Sequence, residues 1–161
     1  MILYMKSSTK NLLINLLIAL LSVAVVGVVG RLLTDTNSAW FTALRKPSEF
    51  VPNVVFPVMW SIIYLCFAAV VFLLLWRKEM DVCTLVTLVL TGVFQWLWSL
   101  VYFRLHSLLW GLIMLVVLAV LAIVLFTRLL KKDKLYAYIL AVYPMWLTLA
   151  TFLNHALWTL N

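Results

Sequence analysis

Three stretches of this chain space their aromatic and amide side chains as one face of a helix does. Phe56, Trp60, Tyr64, Phe67 and Val71 follow one another at steps of three or four residues. So do Thr91, Gln95, Trp98 and Tyr102, and so do Tyr143, Trp146, Ala150, Leu153 and Leu157, with Asn154 beside Leu153. Faces of this kind offer stacking surface with a few amides and hydroxyls, which suits a flat apolar ligand with a few polar edges. The same stripes also serve to pack helix on helix, and the pattern alone leaves both readings open. Gln95 and Asn154 weigh against packing alone. An amide in hydrocarbon costs several kcal/mol unless a helix, a water or a ligand pairs with it, and an interhelical bond returns only about 1 kcal/mol.

Other chemistries find little to work with. The acidic residues Asp35, Glu49, Glu79, Asp81 and Asp133 all lie in connections or near helix ends. No paired carboxylates and no Ser/His set can therefore be assembled inside a bilayer, which counts against an intramembrane protease. The lack of an ionisable residue at membrane depth likewise counts against a proton-driven pump or a small multidrug-type carrier. His106 falls between two apolar runs and reads as a solvated loop residue. His155 is a porphyrin-iron ligand in principle, but it stands alone; no metal site and no required cofactor are expected. Cys66 and Cys83 sit in or at the edge of apolar runs and read as buried free thiols, silent about redox compartment.

The elements that must position these faces are membrane helices. The chain has 161 residues, of which 67% are hydrophobic and 11% charged, far from the composition of a soluble domain. Apolar runs cover roughly 12–33, 54–76, 82–103, 108–126 and 135–160. Each reaches the ~20 residues that cross a bilayer as a helix, and lipid-exposed backbone must satisfy itself internally. The expectation is an all-α integral membrane protein: residues 1–161 as one domain, a bundle of five transmembrane helices with a structured first loop. Lys6 and Lys10 ahead of an apolar stretch and Ser22-Val23-Ala24 resemble a signal peptide, but the apolar run continues to Val29, so a retained span is expected.

Basic residues then set orientation. Lys6, Lys10, Arg77, Lys78, Arg128, Lys131, Lys132 and Lys134 fall at one end of an alternating bundle; Arg31, Arg45, Lys46 and Arg104 fall at the other. The bias places the N-terminus inside, the C-terminus outside and the first loop on the outer face. With short loops, it suits a bacterial cell membrane. The net charge of +7 belongs to lipid headgroups and topology, not to nucleic acid, since no basic face is interleaved with stacking aromatics.

The first loop, from Trp40 to Trp60, is no ordinary connector. It carries Phe41, Phe50 and Phe56, the basic pair Arg45-Lys46, and Pro47, Pro52 and Pro57 at five-residue intervals. Proline fixes φ and removes a donor, so the loop is stiff until the last proline nears a first helical turn. It reads equally as an interfacial aromatic belt and as a preformed apolar lid. Ala19, Ser22, Gly27 and Gly30 in the first run, with Gly111, Ala119 and Ala122 in the fourth, are small residues suited to close helix approach or a subunit contact.

Taken together, these residues resemble the translocator protein family, also called tryptophan-rich sensory proteins. That family's first-loop motif appears as Trp40-Phe41, Leu44, Lys46-Pro47, Pro52, Phe56 and Trp60. Its third-span motif appears as Gln95, Trp98 and Ser99. Its fifth-span motif appears as Tyr143, Trp146, Ala150 and Leu153-Asn154, closing with Trp158 and Leu160-Asn161. The chain departs where Val51 replaces the first proline of a pair, where Glu49 precedes Phe50 in place of an aromatic, where Gln95 replaces asparagine, and where Val142 precedes Tyr143 with Pro144 shifted.

The resemblance implies a homodimeric five-helix membrane protein that binds porphyrins such as protoporphyrin IX and haem, and other flat hydrophobic small molecules; mitochondrial members also bind sterols. It implies a pocket under the first loop among the second, third and fifth spans, which favours the cavity reading of the three faces. Trp60 and Trp146 would face the ring, with Phe41, Phe56, Tyr64, Gln95, Trp98 and Ala150 completing the wall. Trp40, Pro47, Tyr143 and Asn154 join the candidate ligand-binding set. Some bacterial members degrade protoporphyrin in light, which makes Trp60 and Trp146 the candidate catalytic residues of an alternative, enzymatic reading. Leu100-Val101-Tyr102-Phe103-Arg104 also fits a cholesterol-contact pattern of low specificity.

Overall fold

The computed structural model describes residues 9–47 and 51–161; Lys6, Glu49 and Phe50 lie outside the described residues. Among the described residues, five helices long and apolar enough to cross a membrane form the bundle. Helix α1 spans Thr9–Leu33, and the short α2, Ala39–Ala43, follows it on the first loop. Helix α3 spans Val55–Trp76, and α4 spans Val82–Ser99 and continues as a π-helical turn, Leu100–Arg104. Helix α5 spans Leu108–Lys132, and the last span is divided into α6, Lys134–Leu140, and α7, Val142–Leu160. No strand occurs among the described residues. The protein is an all-helical integral membrane protein.

Local signals explain most boundaries. Ser38 caps α2 by accepting from the Phe41 N–H at 3.2 Å. Asp81 caps α4 through the Thr84 N–H at 2.9 Å, and Asp133 caps α6 through the Leu135 N–H at 2.9 Å. Helix α3 ends in a Schellman arrangement: Glu79 N–H donates to the Leu74 carbonyl at 2.8 Å and Lys78 N–H to that of Leu75 at 3.2 Å. Lys78 takes the left-handed position there, with φ 58°, where glycine is usual. Pro144 has no N–H to offer the carbonyl of Leu140, and its ring crowds that carbonyl. The last span accordingly breaks at Ala141 and restarts with the proline in a first turn.

One boundary differs from the sequence expectation. The fourth run, read as ending at 126, stays helical to Lys132, so Arg128, Lys131 and Lys132 ride on α5 and the connection to α6 is Asp133 alone. Long basic side chains carry their charge to the interface while their stems stay against apolar surface, so a helix can continue through them. Around the ring, α1 touches α3 and α4; α5 touches α4, α6 and α7; and α3 closes against α6 and α7. The tight core joins α3, α5, α6 and α7 through Ile63, Leu74, Leu118, Leu125, Tyr136 and Leu147. Helix α1 is the least buried of the five spans.

Candidate functional site

The three aromatic faces converge. Among the described residues two partly open chambers lie between the helices, one of about 440 Å³ at the first-loop end and one of about 550 Å³ toward the opposite end. Both fall within the ~300–1,000 Å³ typical of small-molecule pockets. Phe41, Phe56, Trp60, Tyr64, Gln95, Trp98, Trp146, Ala150 and Asn154 all line the first chamber. Tyr143 lines the second instead, and Trp60, Tyr64 and Gln95 border both.

Trp40 and Pro47 line neither chamber. Successive residues on a helix point about 100° apart, so on α2 Phe41 turns inward at 5% exposure while Trp40 turns away. Trp40 stacks on His106, ring centroids 4.6 Å apart, and sets its edge to Tyr102 at 5.7 Å. Pro47 follows the point where the loop is tied down. His155 is exposed and outside both linings, its ring 5.9 Å from Trp158. Tyr102 and Phe103 are buried, so the cholesterol-type pattern at Leu100–Arg104 turns its aromatic residues into the bundle.

Ring geometry holds the first chamber open. Phe56 meets Trp146 edge-on at 5.7 Å. Trp60 lies 5.7 Å from Tyr64 and 6.5 Å from Trp98. Trp98 in turn stacks on Tyr102 at 5.7 Å and meets Phe103 edge-on at 5.8 Å. Offset and edge-on contacts of this kind add to area burial and fix orientation. The backbone of Arg45 exchanges two hydrogen bonds with Asn161: Arg45 N–H donates to Oδ1 at 2.9 Å, and Nδ2 donates to the Arg45 carbonyl at 3.1 Å. The α2 cap is thereby tied to the end of α7. Lys46 Nζ sits 4.6 Å over the Phe41 ring, and Arg104 Nη2 donates to the Leu32 carbonyl at 2.6 Å, holding the end of α1 beside the π turn.

Polar groups are distributed unevenly. Gln95 Oε1, Trp98 Nε1 and both amide atoms of Asn154 are buried without a hydrogen-bond partner among the described residues. Unpaired buried amides are costly and rare. Around the second chamber the Ser22 hydroxyl donates to Ala19 (2.9 Å), the Thr91 hydroxyl to Thr87 (2.8 Å) and the Trp96 indole to Val26 (3.0 Å), each to a backbone carbonyl. Of the residues lining that chamber, only Tyr143 and Gln95 keep an unpaired buried polar atom.

Sequence reasoning missed the contribution of α1. Gly27, Gly30, Arg31 and Thr34 complete the first chamber. A Cβ at Gly27 would stand 3.2 Å from the Tyr64 ring, and one at Gly30 would stand 3.7 Å from the Tyr64 hydroxyl. The small residues of α1 therefore seat a side chain of α3. Gly111 does the same across the ring, where a Cβ would meet Tyr102 at 2.8 Å and Asn154 at 3.3 Å.

At the opposite end of the bundle, charge ties connections together. Asp81 pairs with Lys132 at 2.6 Å and Arg128 at 3.0 Å, and Asp133 pairs with Arg77 at 2.7 Å. The Lys132 ammonium, then the Thr84 backbone and hydroxyl donors, hold the Asp81 carboxyl well below the usual carboxylate range. The Leu135 N–H and the Arg77 guanidinium hold Asp133 down as well.

Comparison with known proteins agrees with this arrangement. Residues 18–159 match the TspO/MBR family. The chain is 32% identical over 141 residues to protein CrtK of Rhodobacter capsulatus, covering 86% of this chain and 87% of the relative. It is 26% identical over 140 residues to the tryptophan-rich protein TspO of Chlorobaculum tepidum, covering 84% and 89%. With the protein of that name from Archaeoglobus fulgidus it shares 25% over 154 residues, covering 92% and 98%.

Proposed function

The chain belongs to the TspO/MBR family of membrane proteins, in keeping with a sensor or receptor role, and on that premise we propose that it binds a porphyrin, protoporphyrin IX or haem, in the first chamber. The observation that carries this reading is the meeting of Trp60, Trp98 and Trp146 with the unpaired amides of Gln95 and Asn154 around one cavity beneath a tethered cap. A macrocycle offers faces to the indoles and polar edges to the amides. Other flat hydrophobic molecules fit the same description. A sterol gains no support from Leu100–Arg104, whose aromatics face inward. The family resemblance supports a homodimer, and the basic residues at the Arg77/Lys132 end support a bacterial cell membrane with that end inside.

Protoporphyrin IX should quench the tryptophan fluorescence of the purified protein at low-micromolar concentration, and Trp146→Ala should weaken that binding by about tenfold or more. Equal affinity in the two proteins would remove the pocket assignment.

A second reading, light-dependent porphyrin degradation, is favoured by the placement of Trp60 and Trp146 on one wall system. A photoexcited porphyrin transfers energy to dioxygen, and the singlet oxygen formed adds across a double bond of the macrocycle or of an indole in contact with it, so that dioxygen is the oxidant of both. In this reading illuminated protoporphyrin loses its Soret band faster with wild type than with Trp60→Phe/Trp146→Phe, and equal bleaching would reduce the effect to ordinary photochemistry.

A further inference from the structure

The second chamber differs in chemistry from the first while sharing a wall with it. Phe67, Val71, Leu88 and Val26 line it, together with Val25 and Val89, which are also exposed on the outside of the bundle. The hydroxyls of Ser22 and Thr91 and the indole N–H of Trp96 are committed to backbone carbonyls. A polar ligand would find few partners there. A hydrocarbon chain needs none, since burial of apolar surface is its whole driving force.

The position of the chamber says more. Trp60, Tyr64 and Gln95 border both cavities, so their side chains stand where the two meet. Trp60 and Tyr64 are only half-buried, and Tyr64 rests against glycines of α1. Gln95 Oε1, unpaired, stands at this junction. On one side of it lies an aromatic chamber with unsatisfied amides. On the other lies an apolar chamber of about 550 Å³.

We propose that the second chamber holds the long hydrocarbon tail, alkyl or isoprenoid, of a ligand whose flat ring occupies the first, so that the protein selects a tailed macrocycle. The inference rests on the ring-binding role of the first chamber. Tyr64 and Trp60 are the residues past which the tail leaves the ring, and Gln95 faces the polar linkage between the two parts.

The test uses protoporphyrin IX esterified at one propionate with hexadecanol, against the matching methyl ester, on the full chain in nanodiscs. Partitioning into lipid is common to every protein variant, so the readout is the ratio of the two affinities. Leu88→Trp and Val26→Phe each fill the second chamber from a different helix and touch none of the first. The hexadecyl preference should fall about tenfold in both, with methyl-ester binding unchanged. The same ratio in wild type and in the two variants, with the methyl ester still bound, overturns the proposal. Failure of protoporphyrin IX and of both esters to bind wild type would instead overturn the role of the first chamber.

A diazirine at the end of the hexadecyl tail should label peptides carrying Val26, Val71 or Leu88. Labelling of those peptides by diazirine-palmitic acid, undiminished by the ester, would assign the chamber to bilayer lipid and also overturn the proposal.

Discussion

Arg45 and Asn161 lie 116 positions apart, yet the backbone of one and the side-chain amide of the other pair like two residues on neighbouring strands. A third bond, from Asn161 Nδ2 to the Leu157 carbonyl at 2.8 Å, fixes the amide to α7. The cap over the first chamber is therefore held by a side chain as well as by its prolines. Neutral hydrogen bonds contribute about 0.5–1.5 kcal/mol each, and exposure keeps these at the lower end. Asn161→Ala should raise the protoporphyrin dissociation rate by about three- to tenfold, with helix content unchanged. Stopped-flow release measurements check this, and an unaltered rate would mean that the cap does not gate release.

Gly111→Ala should destabilise the bundle by about 1–3 kcal/mol, the usual range for overpacking. The new methyl group would sit 2.8 Å from the Tyr102 ring, and the ring's way out leads toward the first chamber that Tyr102 lines. Thermal unfolding in detergent and porphyrin titration should therefore both worsen. A loss of stability with intact binding would show that Tyr102 yields in another direction.

Gln95→Leu should separate stability from binding. Replacing a buried amide whose Oε1 has no partner with an isosteric apolar group stabilises the unliganded protein by about 1 kcal/mol or leaves it unchanged. The same change should weaken protoporphyrin binding by about tenfold. Thermal shift with and without ligand reads both, and a destabilised unliganded variant would show that Gln95 makes a bond that matters to the fold.

Acid should loosen the end of the bundle that carries Arg77 and Lys132. Asp81 and Asp133 are both depressed below the ordinary carboxylate value of 3.8. A depressed carboxylate contributes stability that is present above its unfolded value and lost as pH falls toward its folded one. The melting temperature should accordingly hold down to about pH 5 and decline below about pH 4. Asn is an N-cap as good as Asp, so Asp81→Asn/Asp133→Asn keeps the caps while removing the charges. That variant should be less stable at pH 7 and flatter between pH 5 and 3; an unchanged slope would place the acid sensitivity elsewhere.

Lys78→Gly should stabilise the turn between α3 and α4 by about 1 kcal/mol. The left-handed conformation at Lys78, φ 58°, is strained for any residue with a Cβ. Equal melting temperatures would indicate that the lost lysine charge offsets the relief.

The five spans were legible because hydropathy reports the solvent, and lipid leaves the backbone no alternative to helix. The inward faces at Phe56–Val71, Thr91–Tyr102 and Tyr143–Leu157 were legible because aromatic residues recur at helical steps. What was not legible has physical reasons. The α1 contribution comes through Gly27 and Gly30, whose meaning lies in the Tyr64 ring that fills the space beside them. The end of α5 was obscured because Arg128, Lys131 and Lys132 look like a loop in composition while behaving as interfacial helix. The Arg45–Asn161 tether joins residues 116 positions apart, and no local pattern reports such a pairing. Trp40 and Phe41 are neighbours in the motif, but only Phe41 points inward, because the five-residue α2 turns them apart.

Helix α1 faces outward over most of its circumference, through Leu13, Leu17, Leu21, Val28 and Leu32, and lines both chambers with what remains. Its seat therefore depends on bilayer pressure as well as on protein contacts, and the shape of the two cavities belongs jointly to the polypeptide and the annulus of lipid around it. Stripping that annulus should slacken one wall of each cavity while circular dichroism still reports an intact helical protein. A preparation that looks folded is thus not yet one that keeps its cavities.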